Sequence, residues 1–401
     1  MKIAYMMSRF PKLTETFILY EILTIQEEGV EVEIYPLIRE KATVVQDEAH
    51  ALVERANYVP FLSLAIILSN LRLIARNPVA YFRTLFVSLR ATMRSRRFLT
   101  GIIFFYPKAV HIARLMEQAK IEHLHAHFAS HPAAIAFIIH ELTGIPYSFT
   151  AHGSDLHRDQ AMLCEKVHAA KDVIAISQYN KQMIIDHCGE QYADRIQVVH
   201  CGINTERFQA SDPIPDNHLR ILCVGSLHEV KGQRYLLEAC AILKKQGIAF
   251  KCHFIGQGDD LAMLQDLAKQ LGISEFVHFL GGVTQAQVIE WLSQVDVLAL
   301  TSVPSQDGRR EGIPVALMEA MASGLPVVST DLSGIPELVT HGQEGYLTQP
   351  GDSEAIAEAL ITLANSAEKR QALGQAARNK ILSEFELKSN ARKLLEVIEN
   401  K

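Results

Sequence analysis

Glu311-Gly312-Ile313-Pro314-Val315-Ala316-Leu317-Met318-Glu319-Ala320-Met321-Ala322-Ser323-Gly324-Leu325-Pro326-Val327-Val328 reads as an apolar helix with punctuation at both ends and a strand directly after it. Pro314 suits the first helical position, where its missing N–H costs nothing, Gly324 suits a left-handed stop, and Pro326 prevents continuation. Glu319 is the one charge among Val315, Ala316, Leu317, Met318, Ala320, Met321 and Ala322. A carboxylate on so apolar a helix is expected to be buried, and a buried charge needs specific partners. Glu311 lies just ahead of the helix, beside amides that lack intrahelical acceptors. Free N–H groups and two carboxylates at one helix end form a receptor for a polyhydroxylated, phosphorylated ligand. The plainer alternative is a core helix with Glu319 solvated and Glu311 a loop carboxylate.

Outward from this segment, apolar runs at 221–224, 252–255, 277–280, 297–300 and 327–329 alternate with helical patterns at 233–246, 260–271, 285–293, 314–323, 354–365 and 369–384. Such alternation predicts a parallel sheet covered on both faces, a doubly wound α/β domain. Ligands in such domains bind beyond the carboxyl ends of the strands, where Gly225, Gly256, Gly258 and Gly282 fall. The first half follows the same plan, with strands at 3–7, 31–37, 121–125, 147–150 and 173–176 and helices at 15–27 and 132–143. The polar, proline-containing run 209–217 is the expected linker. The division expected is therefore 1–208 and 216–385, followed by an amphipathic helix in the tail 386–401.

The 401 residues exceed one ordinary core and carry a net charge of −6, which argues against nucleic acid as a partner. That charge is unevenly spread. From 56 to 116 there is no Asp or Glu, while Arg72, Arg76, Arg83, Arg90, Arg94, Arg96, Arg97, Lys108 and Arg114 give +9, leaving −15 for the rest. These bases interleave with Phe61, Leu62, Leu64, Ile67, Leu71, Phe82, Phe86 and Phe104, the combination an interfacial helix needs to lie on an anionic membrane. The alternative is an apolar side packed on the domain with solvated arginines. The six cysteines show no paired-ligand spacing and read as reduced packing residues of a cytosolic protein. The start of the chain reads as a first strand and not as a signal peptide. The longest apolar stretch recognised, 58–71, is too short to span a bilayer.

Three further segments carry chemistry. In Cys223-Val224-Gly225-Ser226-Leu227-His228-Glu229-Val230-Lys231-Gly232 a strand ends at Gly225 and a helix is expected near Lys231. A lysine in a first turn opposes the helix dipole unless an anion such as a diphosphate is bound, the alternative being a solvated lysine. In Phe149-Thr150-Ala151-His152-Gly153-Ser154-Asp155 the glycine lets the backbone approach a ligand, and His152 stands at a strand end. A structural histidine is the alternative. In Ser8-Arg9-Phe10-Pro11-Lys12-Leu13-Thr14-Glu15-Thr16-Phe17-Ile18, Thr14 can cap the next helix, with Glu15 and Thr16 in its first turn. His123, His125 and His127 alternate along a strand, with His131 close by, and could gather as metal ligands. No carboxylate or cysteine stands between His123 and His131, so no metal is expected.

Taken together these segments resemble the retaining glycosyltransferases of family 4, which have the GT-B fold: two doubly wound Rossmann-like domains facing a cleft, with a last helix crossing back to the first domain. Glu311 and Glu319 match the family's Glu-x7-Glu pair, which implies that the first contacts the transferred sugar and the second the ribose hydroxyls. The 225–232 loop resembles the family's Gly-Arg-x4-Lys-Gly diphosphate site, with Lys231 on the lysine but Ser226 where arginine is usual. Ser226 supplies no charge, so Arg309 or Arg310 is the expected compensation. The resemblance places Gly225, Ser226, Lys231, Gly256, Gly258, Val283, Glu311, Gly312, Ile313, Pro314, Val315 and Glu319 on the donor side. It implies that Glu311, His152 and Lys231 take part in transfer, with His152 on the sugar. Thr14, Glu15, Thr16, His127 and Asp155 are implied for the acceptor side. The Phe-Pro-Lys-x-x-Glu-Thr-Phe start resembles the bacterial exopolysaccharide branch of colanic-acid and amylovoran type.

The expectation is thus a metal-independent hexosyltransferase without cofactor. It uses a UDP- or GDP-sugar and a lipid-linked saccharide, peripherally at the cytoplasmic face of the membrane. A GT-B epimerase or phosphorylase would need an acid–base set or a pyridoxal lysine that the sequence does not display. A non-catalytic sugar-nucleotide-binding or membrane scaffold protein is the remaining alternative, kept open by Ser226.

Overall fold

The computed structural model describes residues 1–12, 15–40, 47–209 and 218–399, which form two compact units. The first comprises Met1–His200 together with Asn390–Lys401. Its strands are β1 (Lys2–Phe10), β2 (Glu31–Arg39), β3 (His123–His127), β4 (Tyr147–Ala151), β5 (Asp172–Ala175) and β6 (Ile196–Val198). They form one parallel sheet in the order β2-β1-β3-β4-β5-β6. β1 is buried on both faces, Ile3 through Met7 being fully covered, which is why it reads as a continuous apolar run. The histidine strand starts and ends two residues later than the sequence indicated.

The acid-free window folds into three successive helices, Leu64–Arg76, Pro78–Thr92 and Arg96–Gln118. Ser63, Asn77 and Ser95 cap them, each side chain accepting a first-turn amide, and Pro78 sits at the second helix's start. The last of the three is long and apolar enough to cross a membrane, longer than the sequence reading anticipated. One face of it, with Phe98, Ile102, Tyr106, Ala109 and Ile112, is buried in the core of the first unit. Lys108 differs from the other bases of the window. It is buried, donates to the Leu37 carbonyl and lies 5.0 Å from the Phe61 ring centroid.

The second unit, Cys201–Ser389, holds β7 (Leu219–Val224), β8 (Phe250–Ile255), β9 (Val277–Gly281), β10 (Val297–Leu300), β11 (Val327–Thr330) and β12 (Gly345–Thr348). The parallel order is β12-β11-β10-β7-β8-β9, so the winding reverses between β7 and β10. β6 and β12 have three and four residues and too little apolar pattern to be read from sequence.

The division lies earlier than the expected linker. Ile203 bridges to Glu386, its amide donates to the Phe385 carbonyl (2.9 Å), and Phe208 is buried in the second core, so 201–208 belong to the second unit. Residues 210–217 fall outside the described residues. The final helix, Leu387–Glu399, matches its sequence reading: from Asn390 it belongs to the first unit, where Ala391, Leu394, Leu395 and Ile398 join Ile3 and Tyr5. All six cysteines are free thiols, three of them buried.

Candidate functional site

In the second unit the site residues gather where the winding reverses. The loop after β7 is stitched to the segment after β10: Thr301 Oγ1 donates to the Gly232 carbonyl (2.8 Å), and the Val303 amide to the Val230 carbonyl (3.0 Å). Gly232 has φ +64°, and a Cβ there would stand 1.8 Å from the Thr301 oxygen, so only glycine fits. Cβ atoms on Gly256 and Gly258 would likewise strike the carbonyls of Gly225 and Leu227, at 1.9 and 2.0 Å. The glycines therefore let two loops close on each other, a role that precedes any approach of a ligand.

Lys231 is not in a helical first turn. It ends the 3-10 turn Glu229–Lys231, and the helix Gln233–Lys245 begins beyond Gly232. Its charge is met by Glu311, Nζ to Oε1 3.0 Å, with both side chains largely covered. The two residues singled out in separate motifs thus form one ion pair. Gly312, Ile313 and Pro314 lead from Glu311 into the helix Val315–Ala322. Pro314 is its N-cap and not its first helical residue, and it offers no side-chain acceptor to the first-turn amides. Gly324, at φ +75°, closes the other end as expected.

Glu319 is buried, at 7% exposure, and accepts from Gln285 Nε2 at 2.9 Å. Burial pushes its carboxyl up to about 7, against the Gln285 hydrogen bond and the positive charge of Arg207. Gln285 opens the helix Gln285–Leu292, capped by Thr284, and Val283 immediately precedes that cap, packed on the core. Gln285 was not legible as a site residue, because nothing local ties it to Glu319. Ser226 lends its carbonyl to Gln233 Nε2 (2.9 Å). Arg309 Nη1 reaches His228 Nε2 (3.2 Å), two residues beyond Ser226, while its Nε pairs with Asp307 (2.8 Å). A guanidinium is therefore brought to the loop that lacks the usual arginine.

In the first unit His152 follows β4. Its backbone is fixed by Asp155, whose two oxygens accept from the amides of Ala129 (2.7 Å), His152 (3.1 Å) and Gly153 (2.6 Å). Asp155 thus clamps the loop, its carboxylate accepting from three N–H groups. The His152 ring lies against Phe17 and Phe128, centroids at 4.9 and 4.6 Å, and Phe128 holds a left-handed φ of +77°.

His127 also needs correction. Its side chain is wholly buried, so it cannot line an acceptor surface; instead its Nδ1 meets His152 Nε2 at 3.1 Å. Its Nε2 meets Glu21 Oε1 at 3.1 Å, an atom that also accepts from Tyr5 Oη at 2.8 Å. Desolvation pushes His127 down to about 3 and His152 to about 4, and raises Glu21.

Glu21, His125 and His127 bring potential ligand atoms within 4.8 Å of one another, so the carboxylate of the cluster comes from a distant helix and not from between the histidines. Both His125 nitrogens are engaged, by Ser148 Oγ (2.8 Å) and Thr150 Oγ1 (3.0 Å), which makes the cluster a hydrogen-bond network. His131 lies apart from it, stacked on Phe98. Glu15 N-caps the helix Thr16–Glu27 and pairs with Lys12. Its Oε2 is buried without a partner among the described residues, and burial raises its pKa. Thr14 lies outside the described residues.

Among solved structures, Anabaena HepE in complex with UDP matches with a TM-score of 0.74 at 18% identity, over 99% of both chains. The lipopolysaccharide outer core galactosyltransferase WaaB matches at 0.69 and 19% identity, over 99% of both. The fold is that of the GT-B glycosyltransferases. Sequence comparison also gives two parts, Glycosyltransferase Family 4 matching residues 14–207 and Glycosyl transferases group 1 matching 204–380, which meet a few residues after the structural division. The chain belongs to glycosyltransferase family 4.

Its relatives include the amylovoran biosynthesis glycosyltransferase AmsK of Erwinia amylovora, 40% identical over 52% of this chain and 51% of that protein. The putative colanic acid biosynthesis glycosyltransferase WcaL of Salmonella typhimurium is 28% identical over the full length of both. The AmsK match thus spans about half of that relative, the WcaL match all of it. Relatives of both types accord with the reading of the N-terminal motif.

Proposed function

We propose that this glycosyltransferase moves a hexose from a UDP- or GDP-sugar to a lipid-linked oligosaccharide in exopolysaccharide assembly, with retained anomeric configuration and without a metal ion. The observation that carries the reading is the Lys231–Glu311 pair, formed between the segments after β7 and β10 where the winding reverses, together with Glu319 buried on the helix that follows Glu311. An incoming diphosphate competes with Glu311 for the Lys231 ammonium. Its arrival releases the Glu311 carboxylate to accept from sugar hydroxyls, so donor binding itself arms the site. Lys231, the first-turn amides of the helix Val315–Ala322 and Arg309 then face the charge that develops on the leaving nucleotide. Glu319 accepts from the ribose diol and His152 contacts the sugar. HepE, a structural neighbour solved with UDP, supports a nucleotide-linked donor. AmsK and WcaL support the exopolysaccharide setting.

The test is a panel of nucleotide sugars against extracted lipid-linked acceptors, with and without EDTA, reading nucleotide release and acceptor mass. Release of UDP or GDP with one added hexose, insensitive to EDTA, is expected. Tight nucleotide binding without release would favour the scaffold reading. A released epimerised sugar would favour the epimerase, and rescue of an EDTA-inhibited enzyme by manganese would overturn metal independence.

The helices of the 56–116 window favour an enzyme that works on an anionic leaflet at the cytoplasmic face. Leu62, Leu64, Leu71, Val79, Phe86, Met93 and Phe104 are each more than half exposed. Seven arginines of the window are exposed with them, and Arg94, Arg96 and Arg97 cluster at a helix N-terminus that contains no acidic residue. Cations there oppose the helix dipole, a cost that bound lipid phosphates would offset.

A further inference from the structure

We propose that Glu21 and His127 are positioning residues that fix the ring tautomer of His152 through a buried hydrogen-bond chain. The inference rests on His152 serving the transfer site. The chain runs from Tyr5 Oη to Glu21 Oε1 (2.8 Å), from Glu21 Oε1 to His127 Nε2 (3.1 Å), and from His127 Nδ1 to His152 Nε2 (3.1 Å). The direction of each hydrogen bond follows from what the groups can give. An ionised carboxylate only accepts, so Tyr5 donates to it and His127 Nε2 must carry its hydrogen. A neutral imidazole has one N–H, so His127 Nδ1 carries a lone pair. His152 Nε2 must then be the donor to that lone pair, and the lone pair of His152 falls on Nδ1. The accepting lone pair of the ring is thereby set at Nδ1, while Asp155 sets the backbone beneath it.

The surroundings keep both rings neutral, which the argument requires: burial holds His127 near 3 and His152 near 4, far below physiological pH. His125 stands outside the chain, its nitrogens taken by Ser148 and Thr150, and packs edge-on against His127 with centroids 5.0 Å apart. Tyr5 lies on β1, Glu21 on the helix Thr16–Glu27, His127 at the end of β3 and His152 beyond β4, so the chain joins four separate segments of one unit. Neither Glu21 nor Tyr5 belongs to the segments the family resemblance marks.

The experiment is a two-bond proton–nitrogen correlation spectrum of the full-length protein labelled in its histidines, at about pH 7.5, where free imidazole is neutral. The wild type should show His152 protonated at Nε2 and His127 protonated at Nε2. Glu21→Leu should release His127 and give His152 a mixed or Nδ1-protonated ring. It should also lower kcat roughly 10- to 100-fold, the range seen when the partner orienting a functional histidine is removed, with donor KM little changed. Glu21→Gln, whose amide oxygen can accept the same two hydrogen bonds, should restore the tautomer and most of kcat. The wild-type spectrum decides alone if a variant fails to fold: His152 protonated at Nδ1 refutes the chain. An unchanged His152 tautomer in a folded Glu21→Leu protein refutes it too, as does a stoichiometric zinc ion retained by Glu21 and the histidines after dialysis. Full activity of His152→Ala with the wild-type tautomers intact would instead remove His152 from the transfer site and leave the chain standing.

Discussion

Replacing Glu319 by glutamine should stabilise the second unit at alkaline pH while weakening nucleotide binding. Burial raises this carboxyl from its ordinary 4.5 to about 7. A group whose folded pKa is raised contributes stability that is fully present below its unfolded value and lost as pH rises through the folded one. For Glu319 that window runs from 4.5 to about 7. At about 1.36 kcal/mol per pH unit the loss is roughly 3 kcal/mol by pH 8 and less than about 1 kcal/mol at pH 5. Glutamine is isosteric, remains neutral, and its amide oxygen can keep the hydrogen bond from Gln285 Nε2, so the variant should gain that difference.

The sole tryptophan, Trp291, lies in the same helix as Gln285, and its fluorescence in urea reports this unit directly. The gain of Glu319→Gln over wild type should be about 3 kcal/mol at pH 8 and largely absent at pH 5. Titration calorimetry with UDP or GDP should show a loss of about 1.5–3 kcal/mol, the worth of hydrogen bonds to a charged acceptor. A stability difference that does not change with pH would refute the strained-carboxylate argument. A variant that gains stability yet binds nucleotide normally would leave Glu319 a structural residue and remove its ribose role.

Lys231→Ala should lower turnover about 100- to 1000-fold, near 3–4 kcal/mol, because a preorganised cation facing the leaving diphosphate is lost. Near-normal transfer by that variant, measured as nucleotide release, would sink the diphosphate assignment. Changing Arg94, Arg96 and Arg97 together to glutamate should weaken binding to anionic vesicles by about 3 kcal/mol, at roughly 1 kcal/mol per residue. Acidic residues suit a helix N-terminus, so the fold should not suffer. Equal pelleting of the wild type with neutral and anionic vesicles would remove the electrostatic part of the membrane reading.

The second unit was legible because its signals are local. Continuous apolar strands, glycines at strand ends and a lone carboxylate in an apolar helix each report their own surroundings, and Glu319 is buried as its neighbours demanded. The first unit was legible only in outline, since its side-chain network is made by long-range contact. The partner of His127 is Glu21, 106 residues upstream, and no periodicity connects them. The clamp made by Asp155 was legible in its spacing, though not drawn from it: a carboxylate two and three residues after amides readily turns back onto them. Lys108 was counted with the exposed bases because composition does not tell which face of a helix turns inward.

The pairing of Lys231 with Glu311 joins two motifs that sequence reads as independent, and it changes what each is for. Two opposite charges, both largely covered, hold one another in a defined geometry while the donor is absent. Neither is then free to bind a sugar without a diphosphate or a diphosphate without displacing the carboxylate. A free hexose has no charge with which to take Lys231 from Glu311, and a nucleoside has no diphosphate. On the proposed reading a nucleotide sugar is repaid at both ends, by the ammonium on the phosphates and by the released carboxylate on the sugar hydroxyls, whereas a nucleoside diphosphate that breaks the pair is repaid at one end only. On that reading a preference for the intact nucleotide sugar over its separate parts follows from one ion pair, before any contact to the base or to a particular hydroxyl is considered.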